Sequence, residues 1–303
     1  MRVQKIIPAF GTLNTITLYE PDQLPEAERI KDYIQFLEQT LSVFRPESEV
    51  SRLNRLAGIR PVPVSDDTFS LIKESIRFSE TSYGAFDITA GPLSSLWRRC
   101  KAENRLPSGK EKRQARKLIG SRDILMNEET HSVMLRRKGQ SVDFGGIAKG
   151  YAVNRILEIL KKDGVKKAMI DLGGTIAVLG RAETIGIRNP LQRTSPCFGT
   201  LRLENRCAVT SGSYERYFTL HGKRYHHILD PRTGMPSDSG LCSVTLIGTD
   251  AVKLDALATG VFILGPKKSL PLLKAEGIDA IFVLEGGQVF VSDALFAEFR
   301  FAA

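Results

Sequence analysis

The stretch from Ser141 to Gly174 constrains the fold more than any other part of the chain. Ser141-Val-Asp-Phe144 reads as a strand, Gly145-Gly146 as a tight turn, Ala148 to Lys161 as a helix, and Lys167-Ala-Met-Ile-Asp171 as a strand closing on Gly173-Gly174. Glycine pairs between runs of period 2 and period 3.6 place a helix directly between two strands. Elsewhere the same signals recur in mixed order. Thr12 to Tyr19 alternates polar and apolar residues. Pro25 to Val43 carries Ile30, Tyr33, Ile34, Leu37 and Leu41 on one helical face, and Asp67 to Thr81 carries Phe69, Ile72 and Ile76 at helical spacing before the Tyr83-Gly84 turn. Strand-like runs follow at Ile185 to Ile187, Cys207 to Thr210, Tyr225 to Leu229 and Ser243 to Ile247. A helix near Val252 to Phe262 and two closing strands, Ala280 to Leu284 and Gln288 to Val291, complete the pattern. So many direct strand-to-strand connections imply an antiparallel or mixed sheet with packed helices, an α+β fold rather than a doubly wound one. No repeat, low-complexity tract or linker divides the chain, so residues 1–303 are expected to form a single domain.

With 42% hydrophobic and 25% charged residues, this is the composition of an ordinary globular protein. Its 43 Lys and Arg outnumber 34 Asp and Glu, and the net charge of +9 favours anions: nucleic acid, acidic lipid headgroups or phosphorylated small molecules. The most basic segment, Gly109 to Lys117, fits a short solvated helix with Leu118 and Ile119 turned inward. It lacks interleaved aromatic residues for base stacking, and no nucleic-acid partner is expected. Cys100, Cys197, Cys207 and Cys242 form no C-x-x-C pair, so neither a zinc site nor a disulfide framework is signalled. Near the start, Ile6-Ile7 is broken by Pro8, short of a signal-peptide apolar region, and no run approaches the roughly 20 apolar residues that span a bilayer. A cytoplasmic location is expected for the chain as written, and a periplasmic or membrane-associated one if a leader was removed.

Four segments carry residues suited to chemistry. In Val142-Asp-Phe-Gly-Gly-Ile-Ala-Lys-Gly-Tyr151, glycines at a strand-to-helix turn and Lys149 in the first helical turn suit an anion, although such a turn standing alone is more often simple packing. It is neither a Walker loop nor G-x-G-x-x-G. Asp255 and Thr259, four residues apart on a helix, present two hard oxygen ligands on one face, as Mg²⁺ prefers. The alternative for this pair is a threonine bonded back to its helix and an aspartate that is simply solvated or paired with a nearby base such as Lys253. Tyr225-His-His-Ile-Leu-Asp-Pro-Arg-Thr-Gly234 contains adjacent histidines that point to opposite faces of a strand, so one of them can face a site as a general base. Gly84-Ala-Phe-Asp-Ile-Thr-Ala-Gly-Pro-Leu93 places an aromatic and a carboxylate around what reads as a short strand, although standing alone it is better read as a turn with a core Phe. G-x-S-x-G and H-E-x-x-H are absent, which removes those hydrolase classes.

Together and in order, with Phe10-Gly-Thr12, Ser48-Glu-Val-Ser-Arg-Leu-Asn54 and Thr210-Ser-Gly-Ser-Tyr214, these segments resemble the ApbE family, the FAD:protein FMN transferases, over nearly the whole chain. The resemblance implies a T-fold-like α+β domain and Mg²⁺-dependent transfer of FMN from FAD to a Thr or Ser hydroxyl of an acceptor flavoprotein, with release of AMP. That acceptor is expected to be a subunit of a redox system, often a membrane complex. FAD hydrolysis to FMN and AMP, or FAD binding without cleavage, are the alternatives. Carried over residue by residue, the flavin and adenine contacts fall on Phe10, Phe44, Ala85, Phe86, Asp87, Asp143, Lys149 and Leu229. The magnesium ligands fall on Asp255, Thr259 and the carbonyl of Gly146, and the reacting histidine is His227, with His226 its neighbour. Phe10 replaces a frequent methionine of the family, and an aromatic Phe44 resembles the transferase form.

Overall fold

The computed structural model describes residues 2–20, 22–191 and 197–302. Its largest element is an eight-stranded sheet in the order Val3–Ala9, Thr12–Leu18, Ala168–Asp171, Thr175–Leu179, Cys207–Gly212, Leu241–Gly248, Asp279–Leu284 and Val289–Val291. Every neighbouring pair in it is antiparallel. Eight α-helices accompany it among the described residues: α1 (Leu24–Leu41), α2 (Glu49–Arg55), α3 (Asp66–Thr81), α4 (Gly91–Ala102), α5 (Gly109–Arg116), α6 (Ala148–Lys162), α7 (Ala251–Leu264) and α8 (Pro266–Glu276). The α+β expectation holds.

The sheet is buried on both faces over its central strands, and the period-2 alternation of side chains divides them between two cores. Ala177, Val209, Leu246, Ala280 and Phe282 point into the larger core beneath the helices. Their neighbours Val178, Ala208, Ile247 and Ile281 point into a smaller one, covered by a three-stranded sheet made of Ala182–Arg188, Cys197–Glu204 and Phe299–Phe301. With both faces covered, every residue from Ser243 to Ile247 is buried, polar Ser243 and Thr245 included.

Helix α7 runs between the sheet and α3, α6 and α8, and it is apolar around its whole circumference. Serines cap the starts of α2, α3 and α5 locally, through Ser48, Ser65 and Ser108. The start of α6 has no local side-chain cap. Asp255 of α7 supplies it instead, accepting the Gly150 amide at 2.8 Å. The favour is returned by α6, whose Asn154 accepts the Ala251 amide at 2.9 Å and donates to Asp250, the N-cap of α7, at 2.8 Å. Gly150 makes this approach possible: a Cβ there would collide with the Ala251 carbonyl oxygen and lie 2.7 Å from Cβ of Asp255.

Three local expectations are corrected. Ser141 to Phe144 is not a strand. It joins no ladder: Asn54 of α2 donates to the Val142 carbonyl at 2.9 Å and accepts its amide at 2.7 Å, and the Asp143 amide donates to the Ile88 carbonyl at 2.8 Å. Gly84 to Leu93 holds no strand either. Asp87 caps a 3-10 turn at Ile88–Ala90 that leads into α4. The run from Tyr225 to Leu229 is broken, with strands at Lys223–His226 and Leu229–Asp230, so His227 lies in the gap.

Replacing Gly150 by alanine is expected to cost about 1–3 kcal/mol of stability, the usual penalty for overfilling a packed contact. A lower urea midpoint with an unchanged slope reports it, and an unshifted midpoint contradicts the contact.

Candidate active site

The α6–α7 contact gathers three oxygens. Thr259 Oγ1 lies 3.0 Å from where a Cβ on Gly146 would stand, so the absence of a side chain at Gly146 keeps the hydroxyl and this turn together. One helical turn earlier, Asp255 is 5% exposed and its carboxyl pKa is raised by burial, a shift opposed by Lys149 and by the amides of Gly150 and Lys149. Because the Gly150 amide donates to Asp255, it is not available to the Gly146 carbonyl four residues back, which stays outside the helical ladder. Lys253 does not pair with Asp255; it bonds Glu276 at 2.8 Å. Among the described residues no three His, Cys, Asp or Glu side chains converge. One carboxylate, one hydroxyl and one free carbonyl are the donors suited to a hard cation that keeps waters and binds substrate phosphates, so these residues fit Mg²⁺.

The two histidines are separated by their bonds. His226 Nε2 lies 3.1 Å from the Ser237 carbonyl, and its Nδ1 accepts the Ile228 amide at 3.3 Å, so both ring nitrogens are occupied; the ring also meets Phe262 edge-on. His227 Nδ1 lies 3.1 Å from the Arg216 carbonyl, which also receives the His227 amide at 3.0 Å. A carbonyl only accepts, so Nδ1 carries the proton and Nε2 keeps its lone pair. The side chain is open to solvent on one side, yet surrounding protein displaces enough bulk water, with cationic Arg216 and Lys149 adding to the effect, to push its pKa down to about 4.

Lys149 reaches across to the glycine turn that follows strand Ala168–Asp171, donating to the Gly173 carbonyl at 2.8 Å. Gly173 in turn sits against Thr12, where a Cβ would come within 2.5 Å of the threonine methyl. Phe10 and Gly11 join the first two strands as a two-residue turn with φ of 53° and 70°, the type I′ geometry that suits the twist of a hairpin. Glu38 of α1 receives the Phe10 amide at 2.5 Å. Phe10, Lys149 and His227 thus stand on three segments brought together by the Thr12–Gly173 contact and the Lys149 bond, with Lys149 close enough to act on the His227 ring.

On the other side, Asp143 accepts the Gly145 amide at 3.0 Å, and its second oxygen lies 3.5 Å from Arg98 of α4. The Gly145 amide is therefore engaged internally, and the glycine pair offers fewer free donors than its sequence suggests. Arg98 also lies 4.9 Å over the ring of exposed Phe44, joining two expected site residues through one that the sequence reading missed. Nothing in its spacing marks Arg98, since its partners lie on two distant loops. Phe86 and Ala85 are buried, and Phe86 supports Gly146, 3.5 Å from where a Cβ there would lie. Asp87 is turned inward; burial raises its pKa, while Thr89, Ser121 and Ser79 donate to it and oppose the shift. Leu229 packs with Trp97 and Cys100, and Trp97 fixes the turn beyond it by donating to the Gly234 carbonyl at 3.0 Å.

The model of the ApbE family matches residues 10–282. The chain belongs to the ApbE family. It is 39% identical over 283 residues to an FAD:protein FMN transferase of Klebsiella pneumoniae, covering 93% of this chain and 89% of that one. The ApbE protein of Thermotoga maritima superposes with a TM-score of 0.90 at 33% identity, over 99% of this chain and all of the other (100%). The flavin transferase ApbE of Vibrio cholerae gives 0.86 at 25% identity, over 98% and 99%.

In the free protein, NMR titration of the His227 ring is expected to show a midpoint near 4, well below the usual 6.5 or so of histidine. A midpoint at the ordinary value contradicts the surroundings described for the ring.

Proposed function

We propose that this ApbE-family chain is an FAD:protein FMN transferase, one domain built around one cleft, acting on a Thr or Ser hydroxyl of an acceptor flavoprotein. The observation that carries the reading is the bonding of His227, whose Nδ1 is committed to a carbonyl so that Nε2 is held as a base at the open side of the cleft. Shared names of relatives support the same activity.

FAD is the substrate. Phe10, Phe44, Ala85, Phe86, Asp143 and Leu229 form the walls for its flavin and adenine parts, and Asp87 holds the turn that carries Ala85 and Phe86. Lys149 faces the diphosphate. Asp255, Thr259 and the Gly146 carbonyl would hold Mg²⁺, which when bound offsets negative charge on the diphosphate oxygens. His227 Nε2 takes the proton of the acceptor hydroxyl. The hydroxyl oxygen bonds to the FMN-side phosphorus, the bridging bond to the AMP phosphate breaks with its electron pair, and AMP leaves. FMN remains on the acceptor as a phosphoester. Catalysis of this type is mostly positioning and charge neutralisation, which suits a site with one base. A low pKa keeps the imidazole neutral before FAD binds, and the diphosphate beside Lys149 then stabilises the proton it receives.

No helix of the described residues is long and apolar enough to cross a membrane.

His227→Asn is expected to lower transfer about 10²–10⁴-fold, the usual contribution of a general base, with an unchanged melting temperature. The measurement is mass spectrometry of a co-expressed acceptor, read as the covalent FMN adduct on Thr or Ser. Asp255→Asn is expected to abolish Mg²⁺-dependent turnover; wild-type flavinylation by that variant overturns the metal assignment. Incubation with FAD and Mg²⁺ but no acceptor separates transfer from hydrolysis: slow FMN release supports transfer, and rapid release supports a pyrophosphatase.

A further inference from the structure

Arg216 stands out because its main chain and side chain face the same cleft from different sides. Its carbonyl is the common acceptor for the amide and Nδ1 of His227, which pins the arginine Cα beside the base. Its side chain turns toward the first hairpin. A Cβ on Gly11 would lie 2.9 Å from Nη2 and 3.8 Å from Cζ, so the guanidinium rests over the Phe10–Gly11 turn. Among the described residues it forms no ion pair and no ring contact, unlike its neighbours: Arg188 pairs with Glu215 at 2.8 Å, Arg232 with Asp230 at 2.8 Å, and Arg224 stacks on Tyr217.

The hairpin under Arg216 is the one whose Thr12 touches Gly173, and the Gly173 carbonyl holds Lys149 Nζ. Two cations therefore flank the contact between Gly11-Thr12 and Gly173, with His227 in the field of both. Buried Asp255 offsets part of the Lys149 charge from below. Among the described residues no carboxylate pairs with Arg216; Glu38, which holds the Phe10 amide of the turn beneath it, forms no ion pair with the guanidinium. Like charges gathered in a partly desolvated cleft repel unless an anion joins them, and a planar guanidinium matches phosphate oxygens in a paired, directional way that an ammonium does not.

We propose that Arg216 is a second anion-binding residue of the site, its guanidinium gripping the FAD diphosphate opposite Lys149 while its carbonyl holds the His227 tautomer. The inference rests on the transferase reading, since it takes FAD as the ligand. It makes Arg216 the piece that couples the two: the residue that holds the phosphates also sets the base beside them. Gly11 is then required twice, for its positive φ and for the space the guanidinium occupies.

The test compares FAD with riboflavin, which shares the flavin but has no phosphate, as ligands of the full-length wild type, Arg216→Met and Arg216→Lys at fixed ionic strength. Arg216→Met is expected to weaken FAD binding at least ~10-fold and to leave riboflavin binding within ~2-fold, a loss of about 1.4 kcal/mol or more confined to the phosphate-bearing ligand. Arg216→Lys is expected to restore part of the FAD affinity, because it returns the charge without the fork. Equal FAD affinity in Arg216→Met and wild type overturns the proposal. So does an equal loss for both ligands, which would mark a distorted flavin pocket rather than a lost phosphate contact. A wild type that fails to bind FAD at all would instead remove the transferase reading.

Discussion

The contact between α6 and α7 at Gly150 is what the remainder of the site depends on. Asp255 of α7 caps the start of α6, which has no local cap, and Asn154 of α6 adds to the local Asp250 cap of α7. A buried carboxylate on an otherwise apolar helix is costly without partners, and two helix-start amides are partners of the right sign. The same bond that makes Asp255 tolerable releases the Gly146 carbonyl from the helical ladder. Stability and ligand chemistry therefore come from one arrangement: the first turn of α6 faces Thr259 and Asp255 because the helices can close to backbone contact at a glycine.

Elements with local signals were legible in the sequence, and those built by distant partners were not. The periodicity of α3 and the alternation of Thr12–Leu18 correspond closely to the structure, since each buries one continuous face. Ser141 to Phe144 has a strand's apolar pattern but is matched by Asn54, 88 residues away in sequence, and no local rule contains that bond. Asp255 reaches Gly150 across 105 positions, so its helical spacing to Thr259 suggested a ligand pair but gave no sign of a cap. The split of the Tyr225 to Leu229 run has a similar cause: between His226 and Leu229 the chain exchanges one antiparallel partner, Tyr217–Leu220, for another, Met235–Pro236.

The basic balance of the chain divides in the same way. On α5 and its surroundings the arginines are answered locally: Arg99 and Arg105 both reach Glu111, which itself closes a capping box with Ser108. Lys112 and Arg116 of that helix lie against Gly234 in the turn after Leu229. This part of the charge serves a surface helix and the loop it covers. Around His227 the pattern is different, because the cations there come from separate segments and meet over glycines rather than over carboxylates.

The hairpin formed by Tyr217–Leu220 and Lys223–His226 turns in two residues, His221 and Gly222, both at positive φ, and pairs Tyr217 with His226 as its last rung. Arg216 and His227 are the next residues outward on either arm, and they close the ladder with the bonds that orient the imidazole. The hairpin is thus a ruler with five residues on each side of the bend. One residue added to or removed from either arm would break the match and present His226, or no histidine, where Nε2 now stands. Chain length between Gly222 and His227 is as much a part of the site as any side chain in it.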